Sequence, residues 1–206
     1  MGGYGHGFLL EWDPAKPWVD SVKGAPANPQ YHMEAHPDIN RPHALIANDE
    51  LVIMAGTPGY GYTGGGLMIW ERQAGRGTVV PHTDLVRDQA PMSLVFLDDA
   101  MLLGGTTTAA GTGGEVKASE AELFLYDLTT RQLRWHRVVF PGVTSYTDLC
   151  LTPEGLVYGL ADSTRFFVYD PREHRVIHEQ DLAAEFGPAV RHQGTRAFII
   201  GPDGTV

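Results

Sequence analysis

The sequence predicts an all-β fold built from repeated four-stranded antiparallel units. Composition is the first reason: 206 residues carry 25 glycines and 14 prolines without a collagen period, which calls for many turns and hence many short strands. The second is a repeat of about fifty residues. The segments "NDELVIMAGT", "LDDAMLLGGT", "TPEGLVYGLA" and "GPDGTV" each open on an acidic or glycine-containing turn, and where the chain continues an apolar run follows that ends in small residues. Gly56, Gly105 and Gly159 correspond in this alignment. The third is a second element between those segments: "GFLLEWDPAKPW", "GLMIWERQAGRG", "ELFLYDLTTRQL" and "RFFVYDPREHRV". In each, an apolar run ends in Trp12, Trp70, Tyr126 or Tyr169 and is followed by an acid and a turn.

Each unit reads as four strands, A to D. In the third unit strand A is "MSLVFL", Asp98-Asp99 turns into strand B, "MLLGGT", and a long loop leads to strand C, "ELFLYD". The turn "LTTR" then leads to strand D, "LRWHRVVF". Two turns after strand C carry Asp-Pro, at Asp13-Pro14 and Asp170-Pro171, and proline at the second position of a tight turn presets its φ. Strand C is nearly continuously apolar. A sheet covered on one face alternates; a sheet covered on both does not. Sheets stacked face to face in a β-propeller account for that pattern. The expected boundaries are strands C and D of blade 1 in residues 7–20, blade 2 in 43–81, blade 3 in 92–140, blade 4 in 145–181, and the start of a fifth blade in 195–206. The chain is thus expected to be an incomplete ring of about four blades, because nothing before "GFLLEWDP" supplies strands A and B. The alternative is a four-bladed ring in which the two ends share one blade.

The residues also carry a resemblance. Gly104-Gly105, Tyr126-Asp127 and Trp135 of the third unit, with Trp12-Asp13 and Trp18 of the first, resemble the double glycine, tyrosine-acid pair and fourth-strand tryptophan of kelch blades. The second and fourth units keep Gly56 with Trp70-Glu71 and Gly159 with Tyr169-Asp170 but lack the later tryptophan, and the chain looks kelch-like in places and YVTN- or WD40-like in others. The resemblance implies a β-propeller. Propellers include scaffolds, lactonases, lyases and quinone enzymes, so it leaves function open.

The stretch "TPGYGYTGGG" contains G-x-G-x-x-G at Gly59, Gly61 and Gly64. A dinucleotide fingerprint needs a helix opening at its third glycine. The repeat partners of "LMIWE" are aromatic-rich and interrupted by Asp-Pro, so a strand is expected there and the stretch is the loop between strands B and C. Tyr60 and Tyr62 on this loop form a binding platform or tuck into the core, with tucking the first expectation.

A formal net charge of −10 disfavours non-specific attraction to nucleic acid or an anionic membrane surface. No apolar run reaches membrane-spanning length, and the N-terminus lacks the pattern of a signal peptide. The single cysteine, Cys150, excludes an intrachain disulfide and reads as a core thiol.

The A–B and C–D turns read as short, whereas the long excursions are the B–C loops (57–66 and 106–121) and the D–A connection 21–42. B–C and D–A connections share one face of an up-and-down blade, and long loops on a rigid scaffold are where function gathers. The candidate binding residues are Arg41, His43, Tyr60, Tyr62, Tyr146, Asp148, His192 and Arg196, from these loops and from strand starts facing the central channel. His32 and His36 share i, i+4 spacing that suits a metal if the segment is helical; solvent-exposed loop histidines are the plainer reading. No G-x-S-x-G, H-E-x-x-H or Cys/His pairing offers a nucleophile or catalytic metal. The expected function is a non-catalytic module, without cofactor, that binds a protein or a small polar or carbohydrate ligand through the long-loop face and neither nucleic acid nor membrane. The alternative is a catalytic propeller, such as a sugar-lactone hydrolase or polysaccharide lyase, with its site at the channel mouth.

Overall fold

The structure is a computed structural model that describes residues 1–20, 26–189 and 196–206. Three of its sheets have four strands in simple up-and-down order. The second sheet contains β4 (Arg41–Ala47), β5 (Leu51–Thr57), β6 (Gly66–Glu71) and β7 (Arg76–Pro81). The third contains β8 (Ala90–Phe96), β9 (Met101–Thr107), β10 (Leu123–Asp127) and β11 (Gln132–Arg137). The fourth contains β12 (Tyr146–Leu151), β13 (Val157–Ala161), β14 (Arg165–Asp170) and β15 (Arg175–Asp181). The first sheet has three strands, β1 (Gly2–Gly3), β2 (Phe8–Glu11) and β3 (Gln30–Glu34), in the order β1-β2-β3. All pairings are antiparallel. A short helix, α1 (Ala183–Phe186), follows the fourth sheet. The four sheets stack in chain order as propeller blades and are not closed into a ring.

The apolar second and third strands of the second and third blades are covered on both faces. Along β5, Ile53 and Ala55 pack toward the third sheet, while Met54 packs toward the first. On β6, Leu67 and Ile69 point one way and Met68 and Trp70 the other. Strand β10 repeats the division: Phe124 and Tyr126 meet the second sheet, and Leu123 and Leu125 meet the fourth. Trp135 lies against Tyr169 and His174 of the next blade, with ring centroids 6.4 Å and 5.5 Å away.

One cross-strand pair recurs in three blades. Phe8 lies opposite Gly3, Phe124 opposite Gly104, and Phe167 opposite Gly159. A Cβ on any of these glycines would fall inside the ring it faces. The missing side chain lets the ring lie flat over the neighbouring strand and fill the space between blades. The second blade carries Met54 opposite Met68 at the matching place. A β-bulge also recurs in the first strand of each four-stranded sheet, at His43, Met92 and Thr147.

The first blade departs from expectation. Strand C, β2, lies within residues 7–20, but strand D is β3 and falls at Gln30–Glu34. The excursion therefore sits in the C–D connection. Asn28 holds it, accepting from Asp13 N–H and donating to the carbonyls of Asp13, Lys16 and Pro17. Trp18, expected in a strand, is 65% exposed in this connection. A strand does precede β2, since Gly2–Gly3 pairs with it in the manner of strand B. Residues 196–206, expected to start a fifth blade, contain no strand; they form a turn at Gly201–Gly204 and attach to β12 through Asp148.

Gly104→Ala should lower stability by about 1–3 kcal/mol through overpacking against Phe124. In urea unfolding, Gly104→Ala/Phe124→Leu should lose less than the sum of the two single losses, because the smaller side chain relieves the clash.

Candidate functional site

The B–C loops of the first three blades (residues 4–7, 58–65 and 108–122) lie at one end of the stacked sheets, where backbone bonds join the second and third and the Tyr4 and Tyr60 hydroxyls join the first to the second. Gly61 N–H donates to Thr112 O (2.9 Å), Gly111 N–H donates to Tyr62 O (3.0 Å), and Thr63 Oγ1 donates to Glu115 O (2.6 Å). Two glycines permit this approach. A Cβ at Gly111 would meet Gly59 O, and one at Gly114 would meet Tyr62 O. The stretch "TPGYGYTGGG" is therefore one half of a loop-to-loop zipper. No helix opens at Gly64; the chain enters β6 two residues later.

The zipper presents its tyrosines to solvent. Tyr60 and Tyr62 are 59% and 51% exposed, and Tyr4 on the first loop is 52% exposed, so the expectation that the loop tyrosines tuck inward is corrected. The cross-loop bonds are made by the Gly61 N–H and the Tyr62 carbonyl, while the Tyr62 N–H donates to Gly59 O within its own loop. The Tyr4 and Tyr60 hydroxyls hydrogen-bond to each other. The Arg41 guanidinium sits 5.4 Å from the Tyr4 ring centroid and 5.8 Å from that of Tyr60, and its Nη2 donates to Thr112 Oγ1 at 3.1 Å. The Tyr4 hydroxyl, and then the Arg41 guanidinium, hold the Tyr60 phenol below its ordinary value. His36 stacks on His6 at 4.8 Å and meets Tyr62 edge-on at 6.4 Å.

Below Arg41, His43 Nε2 is 3.0 Å from Thr57 Oγ1, while its Nδ1 is buried with no hydrogen-bond partner. Burial, assisted by the Arg41 charge, pulls the His43 pKa down to about 4. His43 is thus neutral at pH 7 and supports the loop platform as an uncharged group.

The remaining candidates separate from this cluster. Tyr146 is fully buried between the third and fourth blades, where burial pushes its phenol up to about 12. Asp148, 2% exposed, accepts from the N–H groups of Ala197 (2.7 Å) and Phe198 (3.0 Å), and Arg196 Nε lies 3.2 Å away. These contacts dock the segment after residue 195 on β12, so Tyr146 lies in the core and Asp148 and Arg196 meet in this docking contact, away from the loop cluster. His192 lies outside the described residues. His32 sits at a bulge of β3, stacked on Trp70 at 4.5 Å with Nε2 2.8 Å from Glu11 Oε2. The helical spacing that would pair it with His36 is absent. Among the described residues no group of three or more His, Cys, Asp or Glu is placed to hold a metal ion. Cys150 is buried, and burial pushes its thiol up, as suits a core thiol.

Tyr4, His6 and Thr112 were not singled out in the sequence, although a signal was there. Gly3-Tyr4-Gly5-His6 and Gly59-Tyr60-Gly61-Tyr62 repeat a Gly-Tyr-Gly pattern in equivalent loops. At the opposite end, a cleft of about 860 Å³ between the first and second sheets is lined by Leu10, Trp12, His32, Leu45, Trp70 and Arg72, among others.

Gly111→Ala should separate the loops. Faster hydrogen exchange at the Gly61 and Tyr62 amides, with an unchanged unfolding midpoint, is the expected result. His43 gives a pH signature. Its folded pKa lies below the ordinary 6.5, so the unfolded chain binds more protons as pH falls from about 6.5 to about 4. Stability should decline through that window by on the order of 3 kcal/mol and no further below it on this residue's account. His43→Gln should flatten that part of a pH series of urea midpoints.

Comparison with known proteins agrees with this architecture. No family model matches the chain, and no curated protein matches it in sequence. Its structure is similar to the RRP9 WD40 repeats, with a TM-score of 0.50 and 12% identity over 68% of this chain and 40% of that one. It is similar also to U3-55K, with a TM-score of 0.50 and 11% identity over 68% of this chain and 39% of that one. The chain spans about two fifths of the length of these structures. The likeness is to WD40 repeat structures, and the fold is a β-propeller of stacked antiparallel blades.

Proposed function

We propose that the chain is a non-catalytic propeller module that binds a protein partner through the face formed by its B–C loops. One observation carries this reading: the second and third loops are joined by backbone hydrogen bonds and the first meets them through the Tyr4 and Tyr60 hydroxyls, leaving Tyr4, Tyr60 and Tyr62 in solvent with Arg41 beside the first two. Tyrosine and arginine are the residue types that dominate binding energy at protein interfaces, and tyrosine loses little conformational freedom when it is covered. A platform already fixed by backbone hydrogen bonds avoids most of the ordering cost of association. The likeness to WD40 repeats supports an interaction role, since such a scaffold offers loops on a rigid stack.

A displayed library of random twelve-residue peptides, selected against the chain, tests the reading. Enriched peptides should lose at least tenfold in affinity on Tyr60→Ala/Tyr62→Ala, and should bind unchanged to Trp12→Ala/Leu45→Ala at the opposite end. Peptides indifferent to the tyrosines would overturn it.

A further inference from the structure

Resting on that reading, we infer that the loop platform recognises a single carboxylate, an Asp or Glu side chain within an extended peptide segment, with Arg41 as the receptor. Other arginines of the chain are already matched with acids: Arg76 and Arg131 with Glu71, Arg134 with Asp127, Arg165 with Glu179, and Arg196 with Asp148. Arg41 differs. Among the described residues no carboxylate lies in ion-pair contact with it; its partners are two tyrosines and a threonine hydroxyl. Glu34, beside His6 of the first loop, is engaged with Tyr31 Oη at 3.1 Å and His6 Nδ1 at 3.8 Å.

The guanidinium is also held in place. Two aromatic rings flank it and Thr112 takes one of its donors, so its direction is set before any ligand arrives. A guanidinium has five N–H donors in a planar fork, and a carboxylate takes two of them side by side. The tyrosine rings around it offer apolar area for the residues that flank the acid.

Charge selects among anions. The chain carries a formal net charge of −10, which opposes a polyanion such as nucleic acid at long range. One carboxylate on an otherwise uncharged segment meets that repulsion only weakly, because salt screens it beyond about 8–10 Å, and gains the full short-range contact with Arg41.

The test uses the same peptide selection and reads composition. Enriched peptides should share one Asp or Glu at a fixed position beside aromatic or aliphatic residues. Changing that acid to its amide should weaken binding to the wild-type chain about ten- to a hundredfold. The same change should have little effect on Arg41→Gln, whose unfolding midpoint should match wild type, and Arg41→Lys should recover only part of the affinity because it lacks the fork. Enriched peptides without an acid, or an amide change that costs as much on Arg41→Gln, would overturn the inference while leaving the tyrosine platform standing. Tighter binding of a phosphoserine version of the peptide, or comparable binding of a twelve-nucleotide single strand, would assign Arg41 to phosphate and likewise overturn it. Insensitivity to Tyr60→Ala/Tyr62→Ala would instead remove the platform itself.

Discussion

The structure depends on strands that have no solvent face. Residues of β5, β6, β9 and β10 are apolar on both sides, and each side is covered by a neighbouring sheet. Burying a large aliphatic or aromatic side chain stabilises by about 1.5–3 kcal/mol, so leaving one face of such a strand in water would forfeit several of these contributions at once. Face-to-face stacking is the arrangement that covers both. The phenylalanine-over-glycine pairs set how closely it works, because each ring must lie flat on its own sheet before the next blade can approach.

Stacking in this way places every B–C loop at one end of the assembly. The first and fourth blades turn there within a few residues, whereas the second and third carry longer loops that reach one another. Glycine has a second role in those loops. In the blades it makes room for a ring; in the loops, at Gly111 and Gly114, it makes room for backbone carbonyls of the adjacent blade. The result is a rigid surface without regular secondary structure, and the exposed aromatics on it keep their positions through backbone bonds made by their neighbours.

The same loops explain why His43 and Arg41 have different fates although only one residue separates them. Arg41 reaches the solvent end of β4 and lies among tyrosine rings. His43 occupies the bulge, turns inward against Thr57 and loses its charge to burial. A guanidinium can remain charged at the rim because its pKa is far above neutrality; an imidazole two residues deeper cannot.

Period and apolar pattern were enough to determine four-stranded antiparallel blades stacked face to face, because a repeat of about fifty residues and strands without alternation admit few other arrangements. The same reasoning removed the nucleotide reading of the Gly-rich stretch. It placed Arg41, Tyr60 and Tyr62 on the long-loop end, but it misplaced strand D of the first blade, since nothing local to residues 13–29 shows that Asn28 closes them into an excursion. Tertiary structure alone decided the direction of the loop tyrosines and the separation of Tyr146 and Asp148 from them. Both depend on partners distant in sequence: Thr112 and Gly111 for the loop, Phe167 for Tyr146, and Ala197 and Phe198 for Asp148. Local sequence carries propensity and burial; which carbonyl meets which amide across two blades is settled only when the blades stack.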